Sequence, residues 1–230
     1  MQVENHKEEV PFGHYVGLFE KADAGEMAAR TGVQWDGQEF YVNLLGTQYA
    51  IGHPVYSIRI CHSEEVADRR RIPNIEGNPS VQAPQDDRKE EGGTAALPVQ
   101  TFLLRYLLEG KAADWKGGWK TFREMPWGEL YIKPYTGRVL TRAAFTFGTR
   151  VDAFRAACEK MGAVKLSHGD AGYQLDFLNG YAMQVMVWEG DDEFPPNAQV
   201  LYSDNFEAGF APEDRVVAGD ILISVIKGNM

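Results

Sequence analysis

Hydrophobic and polar positions along this chain switch repeatedly between a period of two and a period near 3.6. In "EFYVNLLGTQYAIG" Phe40, Val42 and Leu44 alternate with Tyr41, Asn43 and Leu45, the mark of a strand, and Gly46-Thr47 offers a turn. The segment predicts a hairpin, with "VYSIRI" as a third strand. The strongest local signal is "GYQLDFLNGYAMQVMVW", where Asn179-Gly180 separates two alternating runs by two residues. Both residues tolerate positive φ, which a type I′ hairpin turn requires. "QVLYS" adds a further strand.

Between the strands the period lengthens. "VGLFEKADAGEMAARTG" predicts one or two short helices, with Asp23 as a cap and Gly32 as a stop. "LPVQTFLLRYLLEG" has Pro98 in its first turn, Gly110 at its end and apolar residues on nearly every face, so it predicts a buried helix against the sheet. "VDAFRAACEKMG" is amphipathic, with Phe154, Ala157, Cys158 and Met161 on one face and Gly162 ending it. "PEDRVVAGDILISVI" predicts a last helix, with Pro212 in its first turn and Glu213 and Asp214 at its positive end. The sum is an α+β fold: antiparallel hairpins with helices packed on one side. At 230 residues the chain (1–230) fits a single domain. Residues 61–96 break the pattern, rich in Arg, Asp, Glu, Gly and Pro without periodicity, and are expected to form a flexible insertion.

Charge narrows the function. The formal net charge is -10, from 33 acidic and 23 basic residues. Nucleic-acid binders need Lys and Arg to neutralise phosphates, so no nucleic-acid partner is expected. The cluster Arg69-Arg70-Arg71 lies between acidic residues and reads as a solvated loop. No apolar run reaches the roughly 18 residues of a membrane helix, and "MQVENHKEEVPFG" has no signal-peptide core, so no membrane partner is expected. Two distant cysteines, Cys61 and Cys158, fit a cytoplasmic protein with reduced thiols.

The motifs of several enzyme classes are missing: no phosphate-binding Gly-Lys-Ser/Thr loop, no dinucleotide fingerprint, no Gly-x-Ser-x-Gly elbow and no His-Glu-x-x-His. "GHYVG" holds a His14-x-x-Gly17, but Phe12 stands where corrinoid-binding domains place an Asp, so His14 reads as an ordinary helix histidine. Cys61-His62 offers two metal ligands where three or four are needed. His168-Gly169-Asp170 reads as a turn rather than an acid–base pair. The aromatic stretch "WKGGWKTFREMPWGELYIKPY" suits a second core layer or the wall of a ligand pocket. Trp119, Trp127 and Trp188 would form such a wall and Arg123 and Glu124 its polar anchors, for a small molecule or a protein partner. The sequence names no cofactor. The alternative is a divalent-metal-dependent hydrolase on the acidic turn 189–193. In "WEGDDEFPP" the carboxylates of Asp191, Asp192 and Glu193, with Asp204 beyond the next strand, are hard oxygen ligands for Mg²⁺ or Ca²⁺. The competing reading is a rigid turn, with Asp and Gly shaping it, the prolines setting its exit, and Trp188 and Phe194 plugged into the core.

Two blocks carry a family resemblance: "LPVQTFLLRYLLEGK…GGWKTFREMPWGELY" and "GDAGYQLDFL…VMVWEGDDEFPPNAQVLYSDN…PEDRVVAGDILI". From about Leu97 to Val225, and more loosely over the first 60 residues, the chain resembles the prokaryotic domain of unknown function 3786 family. Its most specific pieces are Trp119 with Phe122-Arg123-Glu124, Trp188 through Pro196, and Glu213-Asp214. The resemblance implies an accessory protein of anaerobic metabolism, with an iron–sulfur or corrinoid protein as a fitting partner, and it implies no reaction. Some relatives carry a cysteine-clustered iron–sulfur domain; with two cysteines, these 230 residues are not expected to form one. The stretch 61–96 and the Asn179-Gly180 turn stand as departures from the family pattern.

Overall fold

The computed structural model describes residues 9–61 and 95–230. Most of the expected insertion, with Arg69–Arg71 and His62, lies outside the described residues. The chain opens with helices α1 (Glu9–Phe19) and α2 (Ala24–Thr31). Asp23 caps α2 by accepting from Glu26 N at 2.8 Å, and Gly32 ends it in the left-handed region at φ 67°. Strands β1 (Gln34–Trp35), β2 (Glu39–Leu44), β3 (Thr47–Gly52) and β4 (Ser57–Ile60) follow as an antiparallel set. The β2–β3 turn is Leu45-Gly46, both at positive φ, one residue earlier than Gly46-Thr47.

After 95 come α3 (Leu97–Glu109), β5 (Trp119–Thr121), α4 (Gly128–Tyr135), a π-helical stretch Thr136–Thr141 that runs on into α5 (Arg142–Phe147), and α6 (Val151–Lys160). Pro134 within α4 lacks the N–H for a regular i−4 bond, and the widened π turn begins two residues later. Strands β6 (Val164–Leu166), β7 (Ala171–Leu178), β8 (Tyr181–Trp188) and β9 (Asn197–Ser203), then α7 (Phe206–Gly209) and α8 (Pro212–Gly228), complete the fold. Asn179 and Gly180 take φ 38° and 88° between β7 and β8, the all-positive turn that Asn-Gly predicts.

Among the described residues nine strands form one sheet in the order β4-β3-β2-β7-β8-β9-β5, with β1 beside β2 and β6 beside β7, every pairing antiparallel. The two halves meet through a single residue pair, Leu44 with Leu178, and the bond from Leu45 N to Phe177 O at 2.8 Å. Period-two alternation sets the faces. Tyr173 and Phe177 meet the helices, with ring centroids 5.6 Å from Phe154 and 5.7 Å from Phe102. Gln174 and Gln184 pair on the opposite, more polar face. Helix α3 buries Phe102, Leu103, Leu104, Tyr106 and Leu107, as its all-round apolar pattern requires. Cys158 is buried on α6, so it is a core residue; burial pushes its thiol up to about 12, leaving no thiolate at neutral pH.

Candidate ligand-binding site

Beyond α3 the chain has no regular structure until β5, yet residues 111–118 are tied down at several points. Arg30 closes the end of α3, its guanidinium donating to the carbonyls of Leu107 and Leu108 at 2.6 Å and of Gly110 at 2.9 Å. Tyr181 Oη donates to Lys111 O. Asn205 Nδ2 donates to Ala113 O at 2.9 Å and to Gly180 O at 3.1 Å, joining this segment to the hairpin turn. The Asp204 carboxylate accepts from Lys116 N at 3.1 Å and Gly118 N at 2.8 Å, and Asp204 N donates to Gly118 O at 3.0 Å. A side chain at position 118 would be built 2.6 Å from Asp204 Oδ2, so glycine is what admits the carboxylate.

These bonds hold Trp115. Its indole N–H donates to Gly118 O at 2.9 Å, and its ring packs edge-on to Trp119 with centroids 5.0 Å apart. The hydrocarbon surface of the indole is left to line two crevices, of about 480 and 410 Å³, that also share Asn179 and Gly180. The larger crosses the junction of the two sheet halves, floored by Leu175–Leu178 and walled by Met161 on one side and Leu45-Gly46 on the other. The β7–β8 register shifts between Asp176 and Leu178, a bulge that lies at the crevice floor. Asn43, Asp176 and Asn179 also line it; all three are solvent-exposed. An aromatic wall beside two amides and a carboxylate, all three solvent-exposed and able to exchange water for ligand, can hold a ring-shaped ligand bearing hydroxyl or amino groups.

The expected ligand contacts do not converge. Trp119 borders the site only through Trp115. Arg123 is exposed and pairs with Glu129 at 3.2 Å. Glu124 accepts from Thr121 N at 2.7 Å and Thr121 Oγ1 at 2.8 Å, closing a capping box whose hydrogen bonds, the backbone one foremost, hold its carboxyl below the usual range. Trp127 stands exposed at φ 65°, and Trp188 is exposed at the end of β8.

Nor do the expected metal ligands assemble: among the described residues no group of three or more His, Cys, Asp or Glu side chains could hold an ion. Asp191 turns its Oδ1 to Glu193 N at 2.9 Å and Phe194 N at 2.7 Å, and Asp191 N donates to Phe194 O at 2.9 Å. That carboxylate shapes its own turn, Asp192 and Glu193 point to solvent, and Asp204 holds the Trp115 loop instead. The rigid-turn reading needs its own correction: Phe194 is 68% exposed and Trp188 38%, so neither plugs into the core. The bonds closing 191–194 hold Phe194 outward. Trp188 follows Val187, which faces the helices, so alternation turns Trp188 the other way.

Sequence reasoning missed Asn43, Asp176 and Trp115. The first two sit at polar strand positions, which in sequence look like ordinary solvent-facing residues. Trp115 lay inside the aromatic stretch singled out as a pocket wall, but nothing local marked it above its neighbours.

Residues 77–225, more than half of the chain, match the family described as Domain of unknown function (DUF3786). The chain belongs to this family. No curated protein and no solved structure matches it. The family match takes in Trp115, Met161 and the β7–β8 hairpin; Asn43 and Leu45 lie outside it, as do the first strands. It starts ahead of Leu97, inside the stretch expected to be an insertion, so the second half of that stretch belongs to the family region. No helix among the described residues is long and apolar enough to cross a membrane.

Proposed function

We propose that this protein is a small-ligand-binding accessory protein whose site is the Trp115 crevice. The ligand would present a flat apolar face to the indole and hydroxyl or amino groups to Asn43, Asp176 and Asn179. One observation carries this reading: Trp115 is held by Gly118 and, through its loop, by Asp204, at a crevice whose lining brings it together with the exposed polar residues Asn43, Asp176 and Asn179. Preorganisation of this kind lowers the ordering cost of binding. Cytoplasmic placement with both thiols reduced belongs to the same reading, since Cys61 and Cys158 are not joined in a disulfide. So does service in anaerobic metabolism beside an iron–sulfur or corrinoid protein, which rests on the family resemblance.

The test is a thermal-shift and tryptophan-fluorescence screen with monosaccharides, nucleosides, nucleotides and tetrapyrroles. A ligand at about ten times its Kd stabilises by about 1.4 kcal/mol, which for a chain of this size raises Tm by roughly 3–6 °C. The expected result is a shift that Asp176→Asn and Trp115→Ala each reduce. A panel without any shift, or a shift indifferent to both substitutions, overturns the proposal.

A further inference from the structure

A third recess, of about 500 Å³, runs between α3 and α8. Its walls are apolar: Pro98, Val99 and Phe102 from α3, and Val217, Ile221 and Val225 from α8. Its volume falls in the roughly 300–1,000 Å³ range of small-molecule sites.

Four charged side chains interrupt this lining, and they form two unlike groups. Arg105 donates through Nε to Asp214 Oδ1 at 2.6 Å and through Nη2 to Asp214 Oδ2 at 3.0 Å, with Tyr15 Oη and Glu109 completing its surroundings. Both partners are largely buried, so this forked pair is closed, and with Glu109 beside it this end of the groove offers no surplus positive charge to an anion. At the second group Asp220 serves two arginines. Its Oδ2 accepts from Arg138 Nη2 at 3.0 Å, and its Oδ1 accepts from Arg142 Nη1. Arg142 Nη2 donates to Ser224 Oγ at 3.0 Å. Two guanidiniums on one carboxylate leave a surplus positive charge there, in a chain whose net charge is -10. The Arg138 side chain is 53% exposed and, among the described residues, bonds only to Asp220, so most of its donors remain available.

We propose that this groove binds an aliphatic carboxylate, with the hydrocarbon chain along the α3–α8 walls and the head group on Arg138 beside Arg142. The apolar lining selects the chain, and the surplus charge selects an anion over a neutral or cationic head. This site is independent of the Trp115 crevice.

Isothermal titration of the full chain with decanoate, dodecanoate, dodecanol and dodecyltrimethylammonium, below their micellar concentrations, tests it. We expect one dodecanoate per chain, bound about fifteen-fold more tightly than decanoate, since each of the two extra buried methylenes gains about 0.8 kcal/mol. Arg138→Gln, a change at an exposed side chain, should weaken dodecanoate at least five-fold and leave dodecanol unchanged. Val217→Trp should block the groove, and Asp176→Asn should leave dodecanoate binding as it is. Circular-dichroism melts of each variant establish folding before titration. Absence of dodecanoate binding, equal affinity for dodecanol or the cation, indifference to Arg138→Gln, or a stoichiometry well above one each overturns the proposal.

Discussion

Replacing Asp204 by Ala removes the two bonds that hold the Trp115 loop. The acceptor is a carboxylate, and hydrogen bonds to charged groups contribute roughly 1.5–3 kcal/mol each, less at exposed sites. The bond to Gly118 N is short, at 2.8 Å, and half-buried; the one to Lys116 N is longer, at 3.1 Å, and exposed. Taking the first near the middle of that range and the second well below it predicts a loss of about 2–3 kcal/mol. Asp204→Asn keeps one oxygen acceptor without the charge and should lose about 1 kcal/mol. Urea unfolding measures the stability. Acrylamide quenching, compared with Trp115→Phe to isolate one of the chain's five tryptophans, measures the loop. The alanine variant should show lower stability and a more readily quenched Trp115, and a chelator should change neither result. An Asp204→Ala protein within about 0.5 kcal/mol of the parent with unaltered quenching would refute the anchoring role. A difference that vanishes in chelator would restore Asp204 as a metal ligand.

Three further outcomes follow from the structure. We predict that Phe194→Ala changes stability by no more than about 0.5 kcal/mol, because the ring is exposed; a loss above about 2 kcal/mol in urea unfolding would mean that it packs into the core after all. Arg215 is buried and donates to the carbonyls of Phe210, Pro126 and Glu207, so Arg215→Met strands three acceptors and should cost about 3 kcal/mol or more; a cost under 1 kcal/mol contradicts this. Burial pushes the Cys158 thiol and the Tyr181 hydroxyl each up to about 12, from 9.0 and 10.0. The folded state therefore keeps protons that the unfolded state releases. Stability should be intact below pH 9 and fall between about pH 9 and 12, by up to about 1.4 kcal/mol per pH unit for each group. Cys158→Ala should flatten the first part of that decline in pH-dependent urea melts, and an unchanged slope would count against it.

Much of the fold was legible from neighbours a few residues apart. The Asn179-Gly180 turn, the Asp23 cap, the Pro212 start of α8 and the all-round apolar α3 each depend on local backbone preference or on a period. The one-residue shift of the β2–β3 turn to Leu45-Gly46 is what such reasoning leaves loose, since either dipeptide offers a glycine. The site was less legible. The aromatic stretch that begins at Trp115 reads as a pocket wall, but the anchors it suggests, Arg123 and Glu124, serve an exposed ion pair and a capping box.

What the sequence determined by itself was the set of elements, their order and the faces they hide, because period and turn chemistry act over short chain distances. The tertiary structure alone decided the use of each polar group. A carboxylate has the same valence whether it binds a metal, shapes a turn or holds a distant loop, and its role depends on which donors the fold brings near. Asp191 found amides two and three residues away. Asp204 found Gly118, 86 residues earlier in the chain, and Asp214 found Arg105 at a separation of 109. The outward turn of Trp188 and Phe194 is of the same kind: their apolar rings predicted burial, and the sheet face and the closed acidic turn placed them in solvent.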